Sequence, residues 1–181
     1  MKRTTFVTMI AALAVLAAPA DAQIVRPWQI SIAGGPSFTT GDLSSEAGTG
    51  YHVQGSVGFG LPLLPFGLRA DLLWQEFPVS GANGHFRQIG GLLNGTFALP
   101  MPLLQPYALA GVGLIQHTEP EVAHAGHVHH GESSTDLGFN AGAGVQFPFV
   151  GMSAFVEARW LNLVGGNAEA RSIPVSVGIR F

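Results

Sequence analysis

Apolar and polar residues alternate along most of this 181-residue chain, and the alternation is most regular over residues 171–181. Every odd-numbered position from Ile173 to Phe181 is apolar, whereas the positions between them are Pro, Ser, Gly or Arg. Successive side chains of a β-strand point to opposite faces, so a period of two predicts a strand. Residues 171–181 are therefore predicted to form a strand with one wholly apolar face.

Seven further alternating segments, separated by Gly, Pro, Asn and Asp, precede this one. The pattern predicts eight strands, over residues 28–38, 50–61, 66–77, 85–99, 105–116, 135–147, 152–164 and 171–181. The fifth is nearly apolar on both faces, so its sidedness stays open.

If the apolar faces of these strands point outward, the interior of the sheet receives a small polar set. Its members are Arg69, Asp71, Gln88, Asn94, Asn140, Gln146, Glu157, Arg159 and Arg180. Buried charges persist only when they are paired and hydrogen-bonded. The three arginines and two acids are therefore expected to form an internal network with the amides.

The connections between the predicted strands alternate in length. Short, Pro-rich connections lie near residues 62, 100 and 148, and longer polar ones lie near 39, 78, 117 and 165. Aromatic residues gather at both kinds of strand end. Those near the short connections are Trp28, Phe59, Phe66, Phe97, Tyr107, Phe147 and Phe181, and those near the long ones are Phe38, Tyr51, Trp74, Phe77, Phe86, Phe139 and Trp160. Two aromatic belts, short periplasmic turns and longer outer loops are typical of a membrane β-barrel.

The first 22 residues have the pattern of a secretory signal peptide. Lys2 and Arg3 precede an apolar run over residues 6–18, and Ala20-Asp21-Ala22 offers a small-x-small cleavage site. We expect cleavage after Ala22, which leaves residues 23–181 as a single barrel domain.

The composition of residues 23–181 excludes some partners and some classes of protein. They contain no lysine, six arginines and ten acidic residues, so nucleic acid is not an expected partner. Cys is absent, which excludes disulfides and thiol chemistry. The chain is apolar on average, yet no run after residue 22 is long enough for a membrane-spanning helix. A membrane β-barrel fits because only alternate residues meet lipid.

The final strand, which ends on Phe181, resembles the closing strand of bacterial outer-membrane β-barrel proteins. This resemblance implies an all-β fold, an eight-stranded antiparallel up-and-down transmembrane β-barrel, in the bacterial outer membrane. It also implies two partners, the outer-membrane lipid and the barrel-assembly machinery that recognises a terminal aromatic residue. In a barrel of eight strands side chains fill the interior, so no open channel is expected.

The third outer loop, residues 117–134, has an unusual composition. Five of the seven His residues lie within it, and the densest group is His124, His127, His129 and His130. Neutral imidazole suits Zn, Cu and Ni, and short His-rich tracts are typical of metal binding. No defined metal motif is present, so a solvated loop without a metal is the alternative.

No catalytic or cofactor-binding residues are predicted. A Ser-His-acid group could be drawn from His130, Glu132 and either Ser133 or Ser134, but neighbours in one loop are not a preorganised site. The leading expectation is a non-enzymatic structural or surface-interaction protein whose surface partner stays open. The alternatives are metal binding through the His-rich loop, transport of a small apolar ligand through a lateral opening at strand five, and a soluble lipocalin-like barrel with its apolar face inside.

Overall fold

The computed structural model describes residues 27–40, 48–61, 64–78, 85–118, 122–124, 127–129, 133–164 and 171–181. The strands are β1 (Trp28–Thr40), β2 (Gly50–Gly60), β3 (Phe66–Pro78), β4 (His85–Ala98), β5 (Gln105–Thr118), β6 (Val122–His124), β7 (His127–His129), β8 (Ser133–Pro148), β9 (Ser153–Val164) and β10 (Arg171–Arg180). None of these residues belongs to a helix long and apolar enough to cross a membrane. The predicted signal peptide lies outside the described residues and stays a prediction.

Eight of the strands form a closed barrel in the order β1, β10, β9, β8, β5, β4, β3 and β2. All neighbours are antiparallel, and β1 closes on β10 with Ser31 opposite Arg180 and Thr40 opposite Arg171. The backbone of Phe181 extends this seam, because its N–H donates to Ile30 O at 2.9 Å. The eight predicted strands are confirmed to within two residues at each end. The short β6–β7 hairpin in the third long loop was not predicted.

The apolar face of the barrel points outward, as the aromatic belts, the low charge and the final strand predicted. Trp28 and Leu72 on this face are 63% and 65% exposed, whereas Gln75 on the inner face is 0% exposed. A soluble barrel of the lipocalin type would need the reverse arrangement, because water solvates its outer wall. That alternative is therefore wrong.

Aromatic side chains pair on the outer surface near both ends of the barrel. At the short-turn end the ring centroids of Trp28 and Phe59 lie 5.0 Å apart, and at the long-loop end those of Tyr51 and Trp74 lie 5.4 Å apart. Trp28 lies directly opposite Phe59, whereas Tyr51 and Trp74 are diagonal neighbours, because Tyr51 lies opposite Glu76 and Trp74 opposite Val53. Such cross-strand aromatic pairs stabilise a sheet and suit the two interfaces of a membrane.

Three of the aromatic residues assigned to these belts, Phe77, Phe86 and Tyr107, face the lumen instead. Phe77 is completely buried, and its ring packs against that of Phe86 at 6.4 Å. Tyr107 is 7% exposed and donates a hydrogen bond inside the barrel. The prediction placed them by their distance from the strand ends alone, whereas the phase of the alternation decides which face a side chain takes.

Strand β5 turns out to have one defined inner face. Tyr107, Leu109 and Ile115 point into the lumen and are buried. The strand pairs without interruption with β8 from Gln105 to Thr118 and with β4 from Tyr107 onward. The apolar character of both faces therefore reflects core packing and lipid contact, and it gives no support to a lateral opening.

Candidate functional site

The centre of the lumen holds four charged side chains from two strands. Arg69 and Asp71 lie two residues apart on the inner face of β3, and Glu157 and Arg159 do so on β9. In the barrel order these two strands lie diametrically opposite each other, so their inner faces meet across the lumen. Both strands run from the short-turn end toward the long-loop end. The arginine comes before the acid along β3, whereas the acid comes before the arginine along β9. Each arginine therefore faces an acid across the lumen.

The cross-lumen contacts have the geometry of strong ion pairs. Arg69 Nη1 and Nη2 donate to Glu157 Oε2 and Oε1 at 2.8 and 3.0 Å, which is a bidentate pair. Arg159 Nη1 lies 2.8 Å from Asp71 Oδ2. Along β9, Arg159 Nε also donates to Glu157 Oε1 at 2.8 Å. Two cations and two anions make the cluster electrically neutral.

Neutral side chains complete the cluster. Asn94 Nδ2 donates to Asp71 Oδ2 at 2.8 Å, and Tyr107 Oη donates to Glu157 Oε2 at 2.7 Å. The ring of Tyr107 fits because Gly144 faces it, and a Cβ there would lie 2.5 Å from the ring. None of the four charged residues is more than 4% exposed. Their burial is compensated by pairing, as buried charges require.

Apolar side chains cover the ion cluster on both sides. Toward the long-loop end lie Leu73, Leu92, Ile115, Leu161 and Leu163. Toward the short-turn end lie Ala33, Tyr107, Leu109 and Phe155. In the described part of the lumen the middle of the barrel is thus filled with side chains, and the low dielectric around the ion pairs strengthens them.

A second polar group, without acids, surrounds His52. Its Nδ1 lies 3.0 Å from Ser37 Oγ and its Nε2 lies 2.8 Å from Ser176 Oγ. Ser37 in turn donates to Gln75 Oε1 at 2.9 Å, and Gln75 Nε2 donates to Gln88 Oε1 at 3.1 Å. This order assigns the proton of the imidazole to Nδ1, since Ser37 uses its own hydrogen toward Gln75.

The His52 group differs from a Ser-His-acid triad in two respects. No carboxylate of the described residues hydrogen-bonds to the imidazole, so nothing would orient and stabilise an imidazolium. His52 and Ser176 are also only 1% and 2% exposed, which leaves no access for a substrate. The arrangement suits a structural role, in which it satisfies the buried polar groups of five strands.

All nine predicted interior residues point into the lumen. Seven are buried, and Gln146 and Arg180 near the short-turn end are partly exposed. Sequence reasoning did not include Tyr107, because the sidedness of strand five was open. It also did not single out His52, although the alternation of β2 places this residue on the polar face.

The predicted metal residues fall on and beside the β6–β7 hairpin. The register places His124 opposite His127 and His129 opposite Val122. His130, like Glu132 of the imagined triad, lies outside the described residues. The nearby His117 is described at the mouth of the lumen, where its Nδ1 lies 3.2 Å from Asp136 Oδ2.

Comparisons with known proteins agree with this architecture. The family model of the outer membrane protein beta-barrel domain matches residues 8–181. Neisserial surface protein A is similar in structure with a TM-score of 0.65 and 15% identity, over 85% of this chain and 96% of that one. Ail, the attachment invasion locus protein of Yersinia pestis, is similar with a TM-score of 0.54 and 16% identity, over 85% of this chain and 97% of that one.

The outer membrane enzyme PagL is also similar, with a TM-score of 0.52 and 14% identity, over 84% of this chain and 98% of that one. At these identities the solved structures show a shared fold only. No curated protein sequence matches the chain.

Proposed function

Because the chain belongs to the family of outer-membrane β-barrel proteins, we propose that this protein of the bacterial outer membrane is a non-enzymatic scaffold that acts through its long loops. The observation that carries the proposal is the filled lumen. The bidentate pair between Arg69 and Glu157 spans the barrel, and apolar layers cover it on both sides. A barrel with such an interior does not conduct solutes, so its contacts with the surroundings are made by its ends and its lipid face.

The burial of the Ser-His hydrogen bonds around His52 supports a non-enzymatic role. Enzymes of this general fold exist, as PagL demonstrates, so fold alone does not decide the matter. In this chain His52 lacks an acid partner within the described residues, and Ser176 is shielded from solvent. Display of the four long loops for surface contact or envelope integrity is the function that this geometry supports best.

Two measurements test the proposal. Vesicles that contain the refolded barrel should swell in isotonic sugar solutions no faster than empty vesicles, whereas swelling in proportion to the protein content would contradict a filled lumen.

In cells, a variant with residues 119–132 replaced by a short Gly-Ser linker should insert normally and lose the surface or integrity phenotype of the intact protein. A phenotype that is unchanged after shortening of each long loop in turn would refute a role for the loops.

We further propose that the third long loop binds a divalent transition metal through His124, His127, His129 and His130. The β6–β7 register favours this candidate, because it places His124 directly opposite His127. Residues directly opposite in an antiparallel pair are close neighbours, with Cβ atoms about 4.5–5.5 Å apart in general. Imidazole nitrogens are suitable ligands for Zn, Cu and Ni.

The metal proposal is tested by thermal unfolding of the refolded barrel with and without Zn²⁺, Cu²⁺ or Ni²⁺. A metal that binds the folded state selectively raises the unfolding temperature. The rise should disappear in a variant with His124→Ala and His127→Ala together. The matched control is His85→Ala, whose side chain is 61% exposed at the barrel rim outside this loop. An equal rise in all three proteins would mean that the metal binds elsewhere.

A further inference from the structure

The lumen is open at its short-turn end, where it forms a vestibule of about 590 Å³. Its lumen-facing wall includes Gln29, Gly60, Gln105, Gln146 and Arg180. Gly60 helps to create the space, because it takes an inner position of β2 without a side chain. A Cβ at this position would meet no other atom within 4 Å.

Arg180 brings a positive charge into this vestibule, and no acid of the described residues forms a direct ion pair with it, although Glu157 attracts it from a greater distance. The four-residue ion cluster deeper in the lumen is neutral by itself, so its acids are already neutralised. The Nη1 of Arg180 donates to Gln146 Oε1, and its guanidinium lies 5.5 Å from the ring centroid of Tyr107 and 5.1 Å from that of Phe155. No carboxylate of the described residues forms an ion pair with it.

An uncompensated cation in a low-dielectric cleft attracts a counter-charge strongly, because low dielectric walls weaken the screening by water. The guanidinium group is also planar and presents its donors in a fork that matches an oxyanion. In this structure its hydrogen-bond partners are the amide oxygen of Gln146 and the hydroxyl of Tyr107, and it lies over two ring faces, so some of its five N–H donors remain. The amides of Gln29 and Gln105 on the same wall offer further donors.

We propose that the vestibule at the short-turn end is a binding site for a small oxyanion, a phosphate or carboxylate group, that is held by Arg180. The site is separate from the long loops and does not depend on the scaffold function proposed above. The open mouth admits the anion from the short-turn side, and Arg69 and Tyr107 line the vestibule together with Arg180.

The test uses inorganic phosphate as the probe and the full mature chain refolded in non-ionic detergent micelles. The ³¹P line of phosphate should broaden on addition of the barrel, and acetate should reverse the broadening at concentrations at which sodium chloride of equal ionic strength does not. Arg180→Gln should weaken phosphate binding at least about tenfold, as expected for loss of a charged partner. Reversal by chloride as efficient as by acetate would mean diffuse screening and would overturn the proposal.

A second variant keeps the test independent of the folding of Arg180→Gln. Gly60→Phe should fill the vestibule and abolish the broadening. The matched control is Gly55→Phe, because a Cβ at Gly55 also meets no atom within 4 Å but points to the lipid side of the same strand. Phosphate binding that survives Gly60→Phe, or that is lost equally in Gly55→Phe, would show that the anion does not bind in the vestibule.

Discussion

Glu157 is the residue on which the interior of the barrel depends most, and Glu157→Gln tests that dependence. Its carboxylate accepts hydrogen bonds from Arg69, Arg159 and Tyr107 at 2.7–3.0 Å, and it is 1% exposed. The substitution keeps the shape of the side chain and removes one negative charge. Two buried arginines are then left with Asp71 as their only acid in the cluster.

Removal of one partner from a buried ion pair costs about 3–5 kcal/mol, because it leaves an uncompensated charge. We therefore expect Glu157→Gln to lower the free energy of unfolding by about that amount. Adding Arg69→Met should recover part of the loss, at least about 1 kcal/mol, since Arg159 and Asp71 then balance each other. The single variant should thus be less stable than the double variant.

The assay is urea unfolding of the barrel refolded in lipid vesicles, followed by Trp fluorescence and by heat-dependent electrophoretic mobility. The matched control is Glu76→Gln, because Glu76 lies at the rim with His85 at 3.3 Å and Arg87 at 3.7 Å, and both partners are more than half exposed. Glu76 itself is 8% exposed, but its partners reach solvent, so these pairs should contribute less than the fully buried pairs of Glu157 and closer to the value of about 0–1 kcal/mol for surface pairs. Equal losses for the two Glu→Gln variants, or a double variant less stable than Glu157→Gln, would refute the role given to the buried network.

Three further predictions concern the lipid face, the end of the chain and the vestibule. Leu72→Arg should lower the stability in vesicles by about 2–4 kcal/mol, because this outward position is 65% exposed at mid-strand; a neutral effect would mean that lipid does not cover this face. Phe181→Ala should leave refolding in micelles unchanged, since the side chain is half exposed, but should reduce the heat-modifiable fraction in outer membranes of cells that rely on the assembly machinery. Arg180→Gln should change the urea stability in anion-free buffer by less than about 1 kcal/mol, whereas Arg159→Gln should cost about 3–5 kcal/mol, because only Arg159 is paired with buried acids; equal costs would mean that Arg180 is also neutralised by an acid.

The residues that line the lumen could be predicted from sequence, but their contacts could not. Alternation within β3 and β9 is a local property, and it placed Arg69 and Glu157 on inner faces. That these two side chains form a bidentate pair depends on the closure of eight strands, which brings β3 opposite β9. Residues separated by 88 positions in sequence carry no local signal of that meeting.

The aromatic residues also include some positions that could be predicted from sequence and some that could not. Trp28 and Phe59 lie in the predicted outer belt, because both are on the apolar face of clearly alternating strands, and the structure shows that their rings pair. Tyr107 lies in a strand that is nearly apolar on both faces, so no row of polar residues in the sequence marks which face points inward. Its inward position became evident only where Gly144 makes room for its ring and Glu157 accepts its hydrogen bond.

The sequence alone was enough to predict the number of strands and the residues that share a face, because both follow from a period of two and from turn residues that act over a few positions. The outward direction of the apolar face was inferred from the aromatic belts, the low charge and the final strand. The three-dimensional arrangement was needed to show which charges neutralise one another, that Arg180 forms no ion pair with an acid among the described residues, and that the lumen is filled in the middle but open at the short-turn end. These features depend on the stagger and closure of the barrel, which bring distant strands together and which no local pattern encodes.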